Sequence, residues 1–192
     1  THPGLPATID ANVPVPSLVL SPGTAVLTDV DLSNEIVSWL LARFLPVFNG
    51  IAAASGKVGL LARECRVPVE GDIARGIRFD GDLGFSGGRM ETVGFLREVL
   101  AMAGIERQAV TLVDQAVTVA VRDGKATHGP LRLMVGRNPV QIHGSIDLAT
   151  RALDYRIELP VTMEMTGGRR ELYELLKGEV IEVRVEGHAK EP

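Results

Sequence analysis

Residues 153–165 read Leu-Asp-Tyr-Arg-Ile-Glu-Leu-Pro-Val-Thr-Met-Glu-Met, and their alternation decides the fold. Leu153, Tyr155, Ile157, Leu159, Val161, Met163 and Met165 take one parity, while Asp154, Arg156, Glu158, Pro160, Thr162 and Glu164 take the other. Successive side chains on a strand point to opposite faces, so the run predicts a strand with one apolar and one wet face. The residues before it repeat the pattern. Val117, Val119 and Val121 alternate with Thr118, Ala120 and Arg122 ahead of Asp123-Gly124, a strong hairpin dipeptide. Leu131, Leu133 and Val135 make the next strand, and Val140, Ile142, Ile146 and Leu148 the one after. Four successive strands with an apolar side must cover that side with the protein's own helices or with a lipid.

Working outward, the flanks supply the cover. Residues 1–16 are rich in Pro and read as an extended lead-in. Ser21-Pro22-Gly23 separates two short strands within 17–32. Ser33 is a good N-cap for a helix over 33–45 with Ile36, Leu40 and Phe44 on one face, and Pro46 ends it. Its surface, with Trp39 and Phe44, suits a core helix or a lipid-contacting one, although it lacks the cationic face of an interfacial helix. Strands are expected over 57–69 and 73–85, the second with Ile77, Phe79, Leu83 and Phe85 on one face. Ser86-Gly87-Gly88 reads as a turn, and Thr92 as the cap of a helix stopped by Gly104. After Gly167-Gly168 a short helix over 169–177 places Leu172, Leu175 and Leu176 inward, and a last strand covers 180–187. Strand–helix–strand order therefore recurs three times without a fixed period.

Composition narrows the function. The chain has 192 residues, 45% of them hydrophobic but only 4% aromatic, so Val, Leu, Ile and Ala supply the apolar surface. The net charge of −4, with 20 scattered basic residues, gives no electrostatic footprint for nucleic acid. No run approaches the roughly 18–20 apolar residues that span a bilayer, and the chain opens on threonine, so any membrane anchor is expected outside it. The single cysteine, Cys65, excludes an internal disulfide; it reads as a small hydrophobe, with a thiol activated by Arg63 and Arg66 as the alternative.

Other constellations reduce to structure. Gly84-Phe85-Ser86-Gly87-Gly88 has a nucleophile-like look but no histidine and carboxylate to drive it. Asp80 and Asp82 share one strand face and read as exposed carboxylates rather than calcium ligands. His128, His143 and His188 lack metal-ligand spacing. No metal, cofactor or catalytic residue is expected, and an enzyme finds no convergent polar groups.

The motifs Val117-Thr-Val-Ala-Val-Arg-Asp-Gly124, Pro130-Leu-Arg-Leu133, Ile142-His-Gly-Ser-Ile-Asp-Leu148 and Leu153-Asp-Tyr-Arg-Ile157 resemble the C-terminal region of AsmA-like and TamB-like bacterial envelope proteins. The match covers about a quarter of the chain, mainly 117–160, and its motifs are structural. The resemblance implies a periplasmic module of a longer protein, anchored to a membrane by a segment outside this chain. It also implies lipid handling or outer-membrane biogenesis, with a phospholipid or another envelope protein as partner. The expected fold is α+β: a curved, mainly antiparallel β-sheet meander with two to three helices packed on one face. Residues 17–192 form one elongated domain, or two units over about 17–75 and 76–192. Leu153, Tyr155, Ile157, Leu159, Val161, Met163, Trp39 and Phe44 are the candidate apolar-face residues. A closed scaffolding or protein-interaction domain without lipid is the alternative.

Overall fold

The alternating runs pair into one sheet. The computed structural model describes residues 7–10, 16–33, 35, 41, 44, 45, 48, 54–91, 94–102, 110–163 and 165–189. The strands are β1 (Ala7–Asp10), β2 (Ser17–Leu20), β3 (Thr24–Asp31), β4 (Ala54–Pro68), β5 (Arg78–Met90), β6 (Val110–Leu112), β7 (Gln115–Arg122), β8 (Lys125–Val135), β9 (Asn138–Asp147), β10 (Ala152–Pro160) and β11 (Val180–His188). They run β1-β2-β4-β5-β6-β8-β9-β10-β11, all antiparallel, and both halves of the chain share the sheet. β3 continues the line of β2 along β4, and β7 that of β6 between β5 and β8. The described helices are short: α1 (Ile73–Gly76), α2 (Gly94–Met102) and α3 (Arg170–Leu176).

Period-two burial gives the sheet one dry face. Val117, Val121, Leu131, Leu133, Val135, Val140, Ile142, Tyr155, Ile157 and Leu159 are all buried there. Side chains from outside the sheet complete that core: Leu41, Leu45, Phe48, Val99 and Leu100. Leu45 N–H donates to Leu41 O at 2.6 Å, a helical bond, and the Phe48 ring stacks on Phe85 with centroids 5.8 Å apart. Most of the expected helix over 33–45, Trp39 included, lies outside the described residues, as do Thr92 and Gly104.

The turns follow their residues. Asp123 and Gly124 both take positive φ, 51° and 77°, as a two-residue hairpin with the strands' own twist requires. Asp147 closes the β9–β10 turn by accepting from Ala149 N at 3.0 Å and Thr150 N at 2.7 Å. Those bonds, the Thr150 one foremost, hold its carboxyl below the usual range.

Several expectations are corrected. The strand from 153 ends at Pro160, and beyond it burial changes parity: Thr162 and Thr166 are buried while Val161 and Met163 are only half-buried. Proline has no N–H for a ladder, and it falls where β9 has already stopped pairing, the last β9–β10 rung being Glu158–Gln141. Residues 73–76 are not strand but one helical turn, because Asp72 caps it by accepting from Arg75 N at 3.1 Å. Ser86-Gly87-Gly88 is no turn between elements. It is a bulge inside β5 opposite Gly56, where a Cβ on Gly56 would sit 2.7 Å from Gly88 Cα. Leu172, Leu175 and Leu176 do not point into a core: α3 has no buried residue, and Leu175 is 81% exposed. Within the expected lead-in, β1 pairs with β2.

Gly144 shows how tightly β8–β10 pack. It pairs with His128 on one side and Tyr155 on the other. A Cβ there would meet Asp154 O at 2.4 Å and Tyr155 Cα at 2.7 Å, and φ is +154°. Replacing Gly144 with Ala is expected to cost about 2 kcal/mol or more, since backbone rather than a movable side chain must give way. Urea unfolding would register a lower midpoint at unchanged slope; an unchanged midpoint would refute the packing described.

Candidate functional site

A hollow lies on the dry face over β3, β4, β5 and β7. It has a volume of about 250 Å³. Val26 of β3, Leu60, Cys65 and Val67 of β4, Phe79 and Leu83 of β5, and Val119 and Val121 of β7 form its walls, with Ile77 at one end. Leu41, Phe44 and Leu45 roof it. All of these side chains are apolar apart from the thiol. Leu41, Leu45, Leu83, Val119 and Val121 are buried, whereas Val26, Phe44, Leu60, Cys65, Val67, Ile77 and Phe79 keep partial access to water.

Register explains why a hollow forms here. The rungs Leu60–Leu83 and Cys65–Phe79 carry large side chains, and between them Ala62 faces Gly81. The floor carries little side-chain bulk at that rung; the Phe79 ring leans over it, with Phe79 Cζ 2.8 Å from where a Gly81 Cβ would stand, and the Leu61 carbonyl lies closer still. Leu18, paired with Val67, extends the apolar wall and is 40% exposed. Burial pushes the Cys65 thiol pKa up, which opposes an activated thiolate. Arg63, one of the two cations expected to activate it, is bound to Asp82 and Asp80 instead.

The candidate residues divide between this hollow and the closed core. Among the described candidates, Phe44 lines the cavity. Tyr155, Ile157 and Leu159 are completely buried among the protein's own side chains, and Leu153 is half-buried against them. Val161 and Met163 fall beyond the end of β10, and Trp39 is not among the described residues. The cavity residues of β3, β4, β5 and β7 were not among the candidate apolar-face residues, although Phe79, Leu83, Val119 and Val121 were placed on apolar strand faces. The signal available was the Ala62 and Gly81 positions, which subtract volume from otherwise bulky strands.

A polar group sits next to this apolar region. His128 is the cross-strand partner of Val119, is 7% exposed, and stacks obliquely against Tyr155 with ring centroids 5.3 Å apart. Its Nδ1 lies 2.7 Å from Gly129 O; a carbonyl only accepts, so Nδ1 carries the proton. Among the described residues Nε2 has no hydrogen-bond partner. Burial pushes the pKa of His128 down to about 4, with His143 adding to the effect and the Gly129 carbonyl opposing it. Tyr155 Oη–H reaches Phe44 O at 3.5 Å, and burial pushes the phenol pKa up.

The opposite face is polar. Arg63 binds Asp80 at 2.6 Å and also Asp82, which accepts from Thr118 at 3.3 Å. Arg122 reaches Glu64 at 3.3 Å. Asp80 and Asp82 thus serve an arginine. Among the described residues no three His, Cys, Asp or Glu groups converge on a metal position, and no helix is long and apolar enough to cross a membrane. Comparison with family models, with curated proteins and with solved structures gives no match.

His128 has a pH signature. The unfolded chain takes up its proton near pH 6.5 and the folded chain only near 4. Between those values the unfolded state binds more protons, so stability is full above about 6.5 and falls as pH drops toward 4. The loss amounts to about 3 kcal/mol at most. His128→Phe keeps a ring against Tyr155 and removes the unpartnered nitrogen. Urea unfolding at pH 7, 5.5 and 4.5 should find the variant at least as stable at pH 7 and less sensitive to acid. Equal acid sensitivity in both proteins would contradict this account.

Proposed function

We propose that the chain is a non-enzymatic module of a longer cell-envelope protein that handles lipid through the apolar face of its sheet. The observation that carries this reading is the hollow of about 250 Å³, walled by Val26, Leu60, Val67 and Phe79 and partly open to water. An apolar hollow that stays partly open is where an apolar ligand gains most by leaving water. The motif resemblance over 117–160 agrees with it. In this reading Leu41, Phe44, Leu45 and Phe48, with α2, form the cover on one face, and the irregular strand–helix–strand order brings them there. The partner is a phospholipid or another envelope protein, the location is the periplasm, and membrane contact runs through regions outside this chain.

A second reading, a docking or scaffolding domain, is favoured by a separate observation. Leu175, Leu176, Val180 and Ile181 are exposed together on α3 and β11, and among the described residues no strand pairs the outer side of β11. Unpaired strand edges with apolar neighbours are points of association.

Native mass spectrometry of gently extracted protein separates the two. Lipid handling predicts retained lipid or uptake of a fluorescent phospholipid. A bare mass with no uptake at micromolar protein would remove lipid handling and leave docking, for which sedimentation should then detect a concentration-dependent assembly.

A further inference from the structure

We propose that the hollow between β4, β5 and β7 holds a single aliphatic chain, entering tail first, and that it selects the tail rather than the head group. This deepens the lipid-handling reading and rests on it. The volume sets the occupant. About 250 Å³ exceeds the roughly 150 Å³ apolar cavity that accepts benzene, and it falls below the about 300 Å³ at which pockets for drug-sized molecules begin. The tail end of one chain of an amphiphile fills that space while the rest of the chain stays at the mouth, and the paired chains of a phospholipid exceed it.

The lining sets the selectivity. Leu83, Val119 and Val121 at the back and Leu60, Val67 and Phe79 nearer the water offer no charge and no hydrogen-bonding group to a carboxylate or phosphate. A charged head placed there would lose its hydration without compensation, so it stays at the mouth. The ion pairs of Arg63 with Asp80 and Asp82 lie on the opposite face and already satisfy one another. Occupancy therefore follows chain apolarity, and fatty acid and lysophospholipid of equal chain bind alike.

Cys65 makes the proposal measurable. It is the only cysteine of the chain and stands in the cavity wall opposite Phe79. The experiment follows alkylation of the intact chain by N-ethylmaleimide with palmitic acid, palmitoyl lysophosphatidylcholine or dipalmitoyl phosphatidylcholine present. Both single-chain probes are expected to slow alkylation at least tenfold, saturating at one per protein, while the two-chain lipid does not. Leu60→Trp, which fills the hollow, should abolish the protection at retained thermal stability; Val26→Phe is the second filler should the first fail to fold.

Each other outcome overturns the proposal. Uptake of the phospholipid in native mass spectrometry together with no protection of Cys65 by either single-chain probe would leave lipid handling standing and remove this site. Protection by lysophosphatidylcholine but not palmitate would assign selection to the head group. Protection that persists in both filled variants would place the chain elsewhere. No binding of any probe would remove the site and the lipid reading together.

Discussion

Everything in this fold depends on taking one face of an antiparallel sheet out of water. Leu131, Leu133, Val135, Val140, Ile142 and Ile157 are fully buried on that face. Each such side chain contributes about 1.5–3 kcal/mol relative to exposure, which exceeds what any surface ion pair here can offer. Closure on that side is shared by Leu41, Leu45, Phe48, Val99 and Leu100. The cover is uneven: over β7–β10 the face is dry, whereas toward β3 and β4 the side chains stay partly wet. The hollow lies toward that wetter end, beneath Leu41, Phe44 and Leu45.

The polar face acts on register more than on stability. Arg63 bound to Asp80 and Asp82 is 42% exposed, so water screens these pairs and their net worth is small. Their position matters more. A one-residue slip of β5 against β4 would send Asp80 and Asp82 into the apolar side and Leu83 out to water. The bulge between Ala62 and Glu64 keeps Leu60 and Cys65 on the same face despite their odd spacing.

Much of the sheet was legible because burial repeats with period two, and Leu131-Leu133-Val135 or Tyr155-Ile157-Leu159 state it without ambiguity. Asp123-Gly124 stated its turn just as clearly, since both positions require positive φ. What failed was punctuation. Ser86-Gly87-Gly88 carries the glycines of a turn, yet here they relieve a close approach to Gly56, a partner about 30 residues away that no local reading contains. Residues 161–166 continue the alternation in sequence, but the ladder that would use it has stopped at Pro160. The site was missed for a related reason: a cavity is an absence of volume across strands, and only the register brings Ala62 opposite Gly81.

One row across the sheet makes this concrete. Ala62, Gly81, Val119, His128, Gly144, Tyr155 and Val185 are successive cross-strand neighbours from β4 to β11. The row contains two glycines, each of which leaves a space above the sheet. Over Gly144 the rings of His128 and Tyr155 lean together from either side, 5.3 Å apart, and the space is filled. Over Gly81 the side chains of Ala62 and Val119 are short, and the Leu61 carbonyl and the Phe79 ring close in on the Cβ position instead. A closed, empty void of about 250 Å³ would cost on the order of 6 kcal/mol, a large share of the about 5–15 kcal/mol that keeps a domain folded. The protein avoids that cost by leaving the hollow open along Val26, Leu60 and Val67, at the lesser penalty of wetting apolar wall. An apolar occupant would remove this penalty as well, because the wall it covers is the same apolar surface that folding leaves wet.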